Sequence, residues 1–368
     1  MPVAELLRVA VPDAEITYIG DSSLAGLVSK HPSIDRVLPI AVPPHVLGRL
    51  PTVKMYYRLF HIVRSVSRFG FGHRFDVAII PRGGTDPAFS AHVVWMLNAR
   101  RSIGFSRLVE PVDTDHNFGD CLVTELMTKL DNFHESERGL DLLARSGLVP
   151  DAALRWNSRM PIKSIQDIAD GVDFAKILEK VGIAQAGSFV VVAPGASSPH
   201  KTWPPAKYRV LCERMLQHTG LSVVLTGSPS ESAVASAVGS GLGNRVIDVT
   251  GKLTLLELIG LLRRARAFVG NDSGPGHIAG ALGIPTISLH VQPRSSDPHH
   301  IKSPAHHRPA GPLVTVVQPE NFLAPCEDRC ESKTVHCLDQ IGVDEVWTAL
   351  VRALEPPASS SKPIGICG

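Results

Sequence analysis

Asp272, Ser273, Gly274 and His277 stand close together in the stretch VGNDSGPGHIAGALGIPTISLH, which runs from Val269 to His290. A carboxylate, a hydroxyl and an imidazole among glycines are the side chains of an anion site. Ala267-Phe268-Val269 reads as a buried strand, Gly270 to Gly274 as a polar turn, and Pro275 as the opening of a helix. Proline suits the first helical position because its missing N–H would be unpaired there anyway. Asp272 and Ser273 are natural N-cap residues, and glycine lets backbone N–H groups approach a ligand. A strand, a small-residue turn and a helix N-terminus together bind phosphate well. The chemistry expected is that of a nucleotide or sugar-phosphate pocket. Ser273 and His277 could also be read as a nucleophile and its base, but no G-x-S-x-G elbow surrounds the serine, which argues against a hydrolase.

Three further turns carry similar residues. Pro194-Gly195-Ala196-Ser197 follows an apolar run, and Lys201 stands four positions after Ser197. Ser197 and Lys201 fit phosphate oxygens and a leaving diphosphate; an exposed loop lysine beside a packing Trp203 is the alternative. Gly227-Ser228-Pro229-Ser230-Glu231 ends in a carboxylate that suits either a helix first turn or a sugar hydroxyl. Gly251-Lys252-Leu253-Thr254 is the fourth turn. His277 reads either as a phosphate donor or as a structural histidine. Gly239-x-Gly241-x-Gly243 follows a helix rather than a strand and is no dinucleotide fingerprint. Cys326-x3-Cys330-x6-Cys337, with His336, has spacing compatible with a metal. The adjacency of His336 and Cys337 makes joint ligation awkward, however, and a thiol group without metal is the expectation. The pairs His299-His300 and His306-His307 lack carboxylates at ligand spacing and read as loop residues.

The elements that must position these turns alternate between strand and helix, the pattern of parallel βαβ units. In the first part, helices are expected over 3–11, 22–29, 55–69 and 134–146, and strands over 15–19, 36–38 and 75–80. The polar segment 151–187 holds the expected domain junction. Phe189-Val190-Val191-Val192-Ala193 opens a second unit as a strand covered on both faces. Strands over 223–226, 246–249 and 285–289 follow, with helices carrying Tyr208, Leu211, Cys212 and Met215, and then Leu255, Leu258, Ile259 and Leu262. In open α/β sheets, ligands bind at the βα turns.

With 368 residues, 44% hydrophobic and 20% charged, the chain is an ordinary α/β protein of two domains. Its apolar runs fall short of a membrane span, and its six cysteines do not form a secreted disulfide framework. The cytoplasm is the expected compartment. A net charge of +2 gives no argument for nucleic acid. Between Arg49 and Glu110, however, ten basic residues face three acidic ones. That segment is either a solvated basic face or a surface for an anionic acceptor or anionic lipid headgroups.

The segments VVVAPGASSPHKTWP, LTGSPSE, VIDVTGKLTLLELIGLLRRARAFVG and NDSGPGHIAGALGIP, with HESERGLDLL, PRSSDPHHIKSP and CEDRC…HCLDQI, resemble glycosyltransferase family 9 over roughly residues 1–350. This bacterial family contains the ADP-heptose:lipopolysaccharide heptosyltransferases. The resemblance implies an α/β fold of GT-B architecture, with two Rossmann-like domains facing a cleft: 1–160 on the acceptor side, 161–350 for the nucleotide sugar, and 351–368 as a disordered tail. It implies inverting transfer without metal or other cofactor, from a nucleotide-diphosphate sugar, ADP-heptose first, to an anionic glycolipid, with peripheral contact at the inner membrane. Ser197 and Lys201 should meet the diphosphate and Glu231 the nucleoside. Asp272, Ser273, Gly274 and His277 should floor the donor site, and Gly195, Ser228 and Lys252 complete the expected set. The family's first strand and Gly-Asp turn, which carries the general base, have no counterpart before Met1-Pro2-Val3, so the first domain is expected to be incomplete and the true start upstream. Asp21 and Asp86 are the nearest carboxylates, and neither is assigned. The competing readings are an inactive nucleotide-sugar-binding relative and a nucleotide-sugar epimerase.

Overall fold

Six parallel strands in one sheet dominate the second half of the chain, and they exist because valine-rich runs there can be covered on both faces. In this computed structural model the described residues are 2–40, 60–67, 75–81, 89–106, 109, 119–129, 134–150, 156–182, 187–300, 302–326 and 335–355. The chain divides into two compact units. One comprises Met1–Asp170 with Pro298–His307, and the other Gly171–Asp297 with Arg308–Gly368.

In the first unit, α1 (Pro2–Ala10) precedes β1 (Thr17–Asp21) and β2 (Arg36–Ile40), which pair in parallel. A second parallel sheet has the order β3 (Val77–Ile79), β4 (Arg101–Phe105), β5 (Glu125–Met127). Helix α2 (Glu135–Arg145) starts at the N-cap His134 and buries Leu140, Leu142 and Leu143. Val3 of α1 lies against Gly139 of α2, where a Cβ would sit 2.8 Å from its methyl, and Glu5 accepts the Ser164 N–H at 2.9 Å. The helix expected over 55–69 is described only at 60–67, which is helical. Most of the basic run lies outside the described residues. Within them, Arg101 pairs with Glu125 at 2.6 Å and Arg100 with Asp76 at 3.6 Å.

In the second unit the sheet order is β11-β10-β9-β6-β7-β8, all parallel. The strands are β6 (Phe189–Ala193), β7 (Ser222–Leu225), β8 (Val246–Asp248), β9 (Ala267–Asn271), β10 (Thr286–Leu289) and β11 (Val314–Val317). β6, β9 and β10 are buried at every residue, as expected of strands covered on both faces. The core gathers Val190, Val192, Trp203, Tyr208, Leu211, Val223, Leu225, Val269 and Leu289. Helix α3 (Pro205–His218) lays its Tyr208, Leu211, Cys212 and Met215 stripe onto this sheet. Helix α4 (Ser232–Gly239) and helix α5 (Leu255–Arg264) follow, the latter opened by a Thr254–Glu257 capping box. Helix α6 (Gly274–Leu282) ends at Gly283, a left-handed C-cap with φ 79°. Helix α7 (Val343–Leu354) includes residues 351–354, assigned to the tail from sequence. Val346 and Leu350 are buried in the core, and that packing extends the helix past the expected boundary. Among the described residues no helix is long and apolar enough to cross a membrane.

Candidate functional site

The sheet order puts β9, β6, β7 and β8 side by side. Because these strands are parallel, the four turns singled out in the sequence leave one edge of the sheet in one contiguous row. Strand register then decides which residues meet. Ala193 pairs with Gly270, so the next residues, Pro194 and Asn271, stand level. Leu289 pairs with Asn271, so His290 stands level with Asp272.

Asn271 is fully buried and ties two turns together. Its side-chain amide donates to Pro194 O at 2.9 Å and Gly195 O at 3.0 Å, and its Oδ1 accepts the Trp203 N–H at 2.9 Å. The loop that carries Ser197 and Lys201 is therefore pinned at both ends to the residue before Asp272.

Around the Asp272 carboxylate are His277 Nε2 at 3.4 Å, Lys201 Nζ at 3.9 Å and His290 Nδ1 at 4.0 Å. Burial by itself raises a carboxyl, but here it is outweighed by the His277 contact and the charges of His290, His277 and Lys201, which bring Asp272 from 3.8 down to about 2. The Lys201 separation exceeds hydrogen-bond length, so the ammonium keeps its donors for another partner. Ser273 is the N-cap of α6 by backbone position but makes no side-chain cap bond, and its buried Oγ has no hydrogen-bond partner in the structure. The cap read from sequence for Asp272 and Ser273 is therefore absent: Asp272 is turned to Lys201, His277 and His290, and the serine hydroxyl remains available. Gly274 is exposed at the start of the helix, and His277 is half-exposed.

The neighbouring turns hold the other expected residues. Ser197 is exposed. Glu231 Oε2 accepts Ser228 N–H at 2.6 Å and Ser228 O–H at 2.8 Å, forming a capping box. The rest of that carboxylate lies directly against Gly195, where any Cβ would collide with it. A side chain at Gly195 would have to push the Glu231 carboxylate aside, and Glu231 is a turn-forming group whose carboxylate lines the next turn. Lys252 Nζ donates to Asp248 O at 2.6 Å, folded back onto its own turn. Gly251 takes φ 73°, and the buried Thr250 hydroxyl beside it lacks a hydrogen-bond partner.

Sequence reasoning missed three contributors: Asn271, His290 and Thr250. The first two carried a detectable signal, since each sits at the carboxyl end of a buried strand, where side chains reach the ligand edge. In the first unit, Asp21 ends β1 and its carboxylate accepts the Ser23 N–H at 2.8 Å, while Asp86 lies outside the described residues. Cys326, His336 and Cys337 come together away from these turns in the chain, and Cys330 also lies outside the described residues.

The sequence signature of glycosyltransferase family 9 (heptosyltransferase) matches residues 128–335. Lipopolysaccharide heptosyltransferase 3 of Escherichia coli is 27% identical over 294 residues, 78% of each chain. Lipopolysaccharide heptosyltransferase 1 of Pseudomonas aeruginosa is 38% identical over 119 residues, about a third of each (32% of this chain and 33% of that one). Among solved structures, a family 9 glycosyl transferase from Veillonella parvula superposes with TM-score 0.69 at 18% identity, covering 96% of this chain and 92% of that one. An E. coli heptosyltransferase solved with ADP gives 0.64 at 18% identity, covering 96% and 94%. These likenesses give the fold class, α/β with parallel sheets of the GT-B kind, as the sequence resemblance implied. With the family signature spanning more than half of its length, the chain belongs to glycosyltransferase family 9 and is a glycosyltransferase.

Proposed function

We propose that this enzyme moves a heptose from a nucleoside-diphosphate heptose, ADP-heptose first, to an anionic lipopolysaccharide-type acceptor, with inversion at the anomeric carbon and in the cytoplasm. The observation that carries the donor half of this reading is the group at the end of β9. Lys201, His277 and His290 surround Asp272 beside the N-terminus of α6, and the buried Ser273 hydroxyl there is unpaired. Such a site offers positive charge, the positive end of a helix dipole and a hydroxyl to a diphosphate. The names of the E. coli and P. aeruginosa relatives support heptose and lipopolysaccharide as the classes to test.

In the reaction, the acceptor hydroxyl attacks the anomeric carbon as the bond to the diphosphate breaks, its proton is given up to solvent, and negative charge grows on the phosphate of the departing nucleoside diphosphate. Lys201, whose 3.9 Å contact with the Asp272 carboxylate is not a hydrogen bond, turns its ammonium to that phosphate. The Ser273 hydroxyl and the positive end of the α6 dipole add fixed dipoles whose orientation needs no rearrangement. Asp272 positions Lys201, His277 and His290 rather than meeting the phosphate, since a carboxylate held near pKa 2 carries like charge. Glu231 and Thr250 border the neighbouring turns, where the nucleoside sits.

The test is transfer of heptose from ADP-heptose to a lipopolysaccharide core acceptor, with Lys201→Ala and Asp272→Ala alongside the native protein. Transfer that falls at least tenfold in both variants supports the site, and native-like rates in both refute it. Binding of ADP-heptose without turnover would instead make the protein a nucleotide-sugar binder. Isomerisation of the donor without acceptor would make it an epimerase.

A further inference from the structure

Cys326, His336 and Cys337 have no part in the donor site, yet their ligand atoms all lie within 4.8 Å of one another. His336 Nδ1 is 3.8 Å from Cys326 Sγ and 3.5 Å from Cys337 Sγ. A tetrahedral zinc with Zn–S of about 2.3 Å and Zn–N of about 2.0 Å holds its S···N pairs about 3.5 Å apart. The two sulfurs are buried, and the three atoms converge from two separate stretches of chain. We propose that Cys326, His336 and Cys337 bind a structural transition-metal cation of thiolate and imidazole affinity, zinc by preference, that clips the carboxyl-terminal segment to the donor domain.

The objection raised by the sequence was that neighbouring residues cannot easily serve one tetrahedral ion. The backbone answers it. His336 takes φ −146° and ψ −84° as it leads into the short turn Cys337–Gln340, and both side chains reach the same point. The Leu323 N–H donates to Cys337 Sγ at 3.4 Å. Amide donation of this kind stabilises a thiolate, the form of cysteine that ligates metal. Two sulfurs and one imidazole select zinc or iron over magnesium or calcium, which take oxygen ligands. The described residues supply three ligands, and a zinc site completes its fourth position with water or another protein group.

The clip reaches the donor turns through packing. Leu338 and Ile341, just beyond Cys337, are buried in the sheet core beside Trp203. The Trp203 indole N–H donates to Ile341 O at 3.0 Å, and the Trp203 backbone N–H is held by Asn271. Lys207 Nζ also donates to Asp339 O and, at 3.2 Å, to Ile341 O. A metal at Cys337 therefore fixes the support under the Lys201 loop without touching substrate.

The experiment is elemental analysis of the full chain, purified reduced and without chelator. Zinc or iron at about one per chain is expected, falling to background in Cys326→Ser and in Cys337→Ser. Two measurements on the native chain do not depend on a variant folding. Cobalt(II) loaded in place of the native metal should give a thiolate charge-transfer band with tetrahedral d–d bands. Stripping with a chelator should lower Tm by roughly 5–10 °C, and added zinc should restore it. The proposal is overturned by native protein that stays at background metal even after equilibration with excess zinc. A cobalt form with no thiolate band, or a Cys326–Cys337 disulfide in anaerobically purified protein, overturns it equally.

Discussion

Lys201, His277 and His290 are arranged around a carboxylate held well below its ordinary range, and this has a measurable pH signature. Asp272 titrates at about 2 in the folded chain against 3.8 ordinarily. A depressed carboxylate contributes stability that is complete above its unfolded value and is lost as pH falls through its folded one. The window is therefore roughly pH 4 to 2, and the shift corresponds to about 2 kcal/mol. Thermal melts across that window should show Asp272→Asn losing less stability than the native chain, whereas parallel curves would mean the cations do not act on Asp272. Ser273 makes the complementary case. Its hydroxyl is buried with no partner and caps nothing. Ser273→Ala should therefore leave Tm within about 1 °C while lowering kcat/KM about tenfold to a hundredfold, the worth of a hydrogen bond to a charged group. A large fall in Tm with unchanged turnover would make the serine structural. Both residues were legible as donor-site candidates from their place between a strand and a Pro-opened helix. Their division of labour was not, because a cap and a ligand donor look alike in sequence.

At the scale of elements, Asn271 and the approach to α6 decide how the turns are held. Asn271 makes three side-chain bonds to the Pro194–Trp203 loop from a fully buried position. Asn271→Asp replaces its two donated bonds with carboxylate oxygens facing carbonyls, so it should cost about 3 kcal/mol or more in denaturant unfolding and weaken donor binding with it. Asn271→Ala should be milder. Helix α6 comes so close to the 309–311 segment that a Cβ on Gly280 would lie 2.6 Å from Ala310 O and 2.9 Å from Pro309 Cβ. Gly280→Ala should thus destabilise by about 1–3 kcal/mol despite the better helix propensity of alanine, read as a lower unfolding midpoint. The strands were readable because apolar runs bounded by glycine and proline have little else to become. The Pro194–Ser197, Gly227–Glu231 and Gly251–Thr254 turns were readable for the same reason. The capping box of Glu231 and the fold-back of Lys252 were not, since either side chain could equally have pointed to a ligand.

For the whole molecule, the donor reading predicts linkage between nucleotide and stability. ADP at about a hundred times its Kd should stabilise the native chain by about 2.7 kcal/mol, and calorimetric scans should show that increment shrinking in Lys201→Ala. No shift with ADP, alongside a shift with another nucleoside diphosphate, would reassign the donor base. The amino-acid sequence by itself determined the family, the alternating α/β pattern and the residues of four glycine-bearing βα turns. All of these are local: periodicity, proline and glycine placement, and motif order act within a few residues of chain. Only the tertiary structure decided that β9 lies beside β6, which sets the four turns in one row. It alone brought His290 level with Asp272 and the Asn271 amide onto the Pro194 and Gly195 carbonyls. It also closed Cys326 onto His336 and Cys337. The physical reason is that strand order and register are fixed by side-chain packing between segments far apart in the chain, and that information is spread over the whole core rather than written beside any one residue.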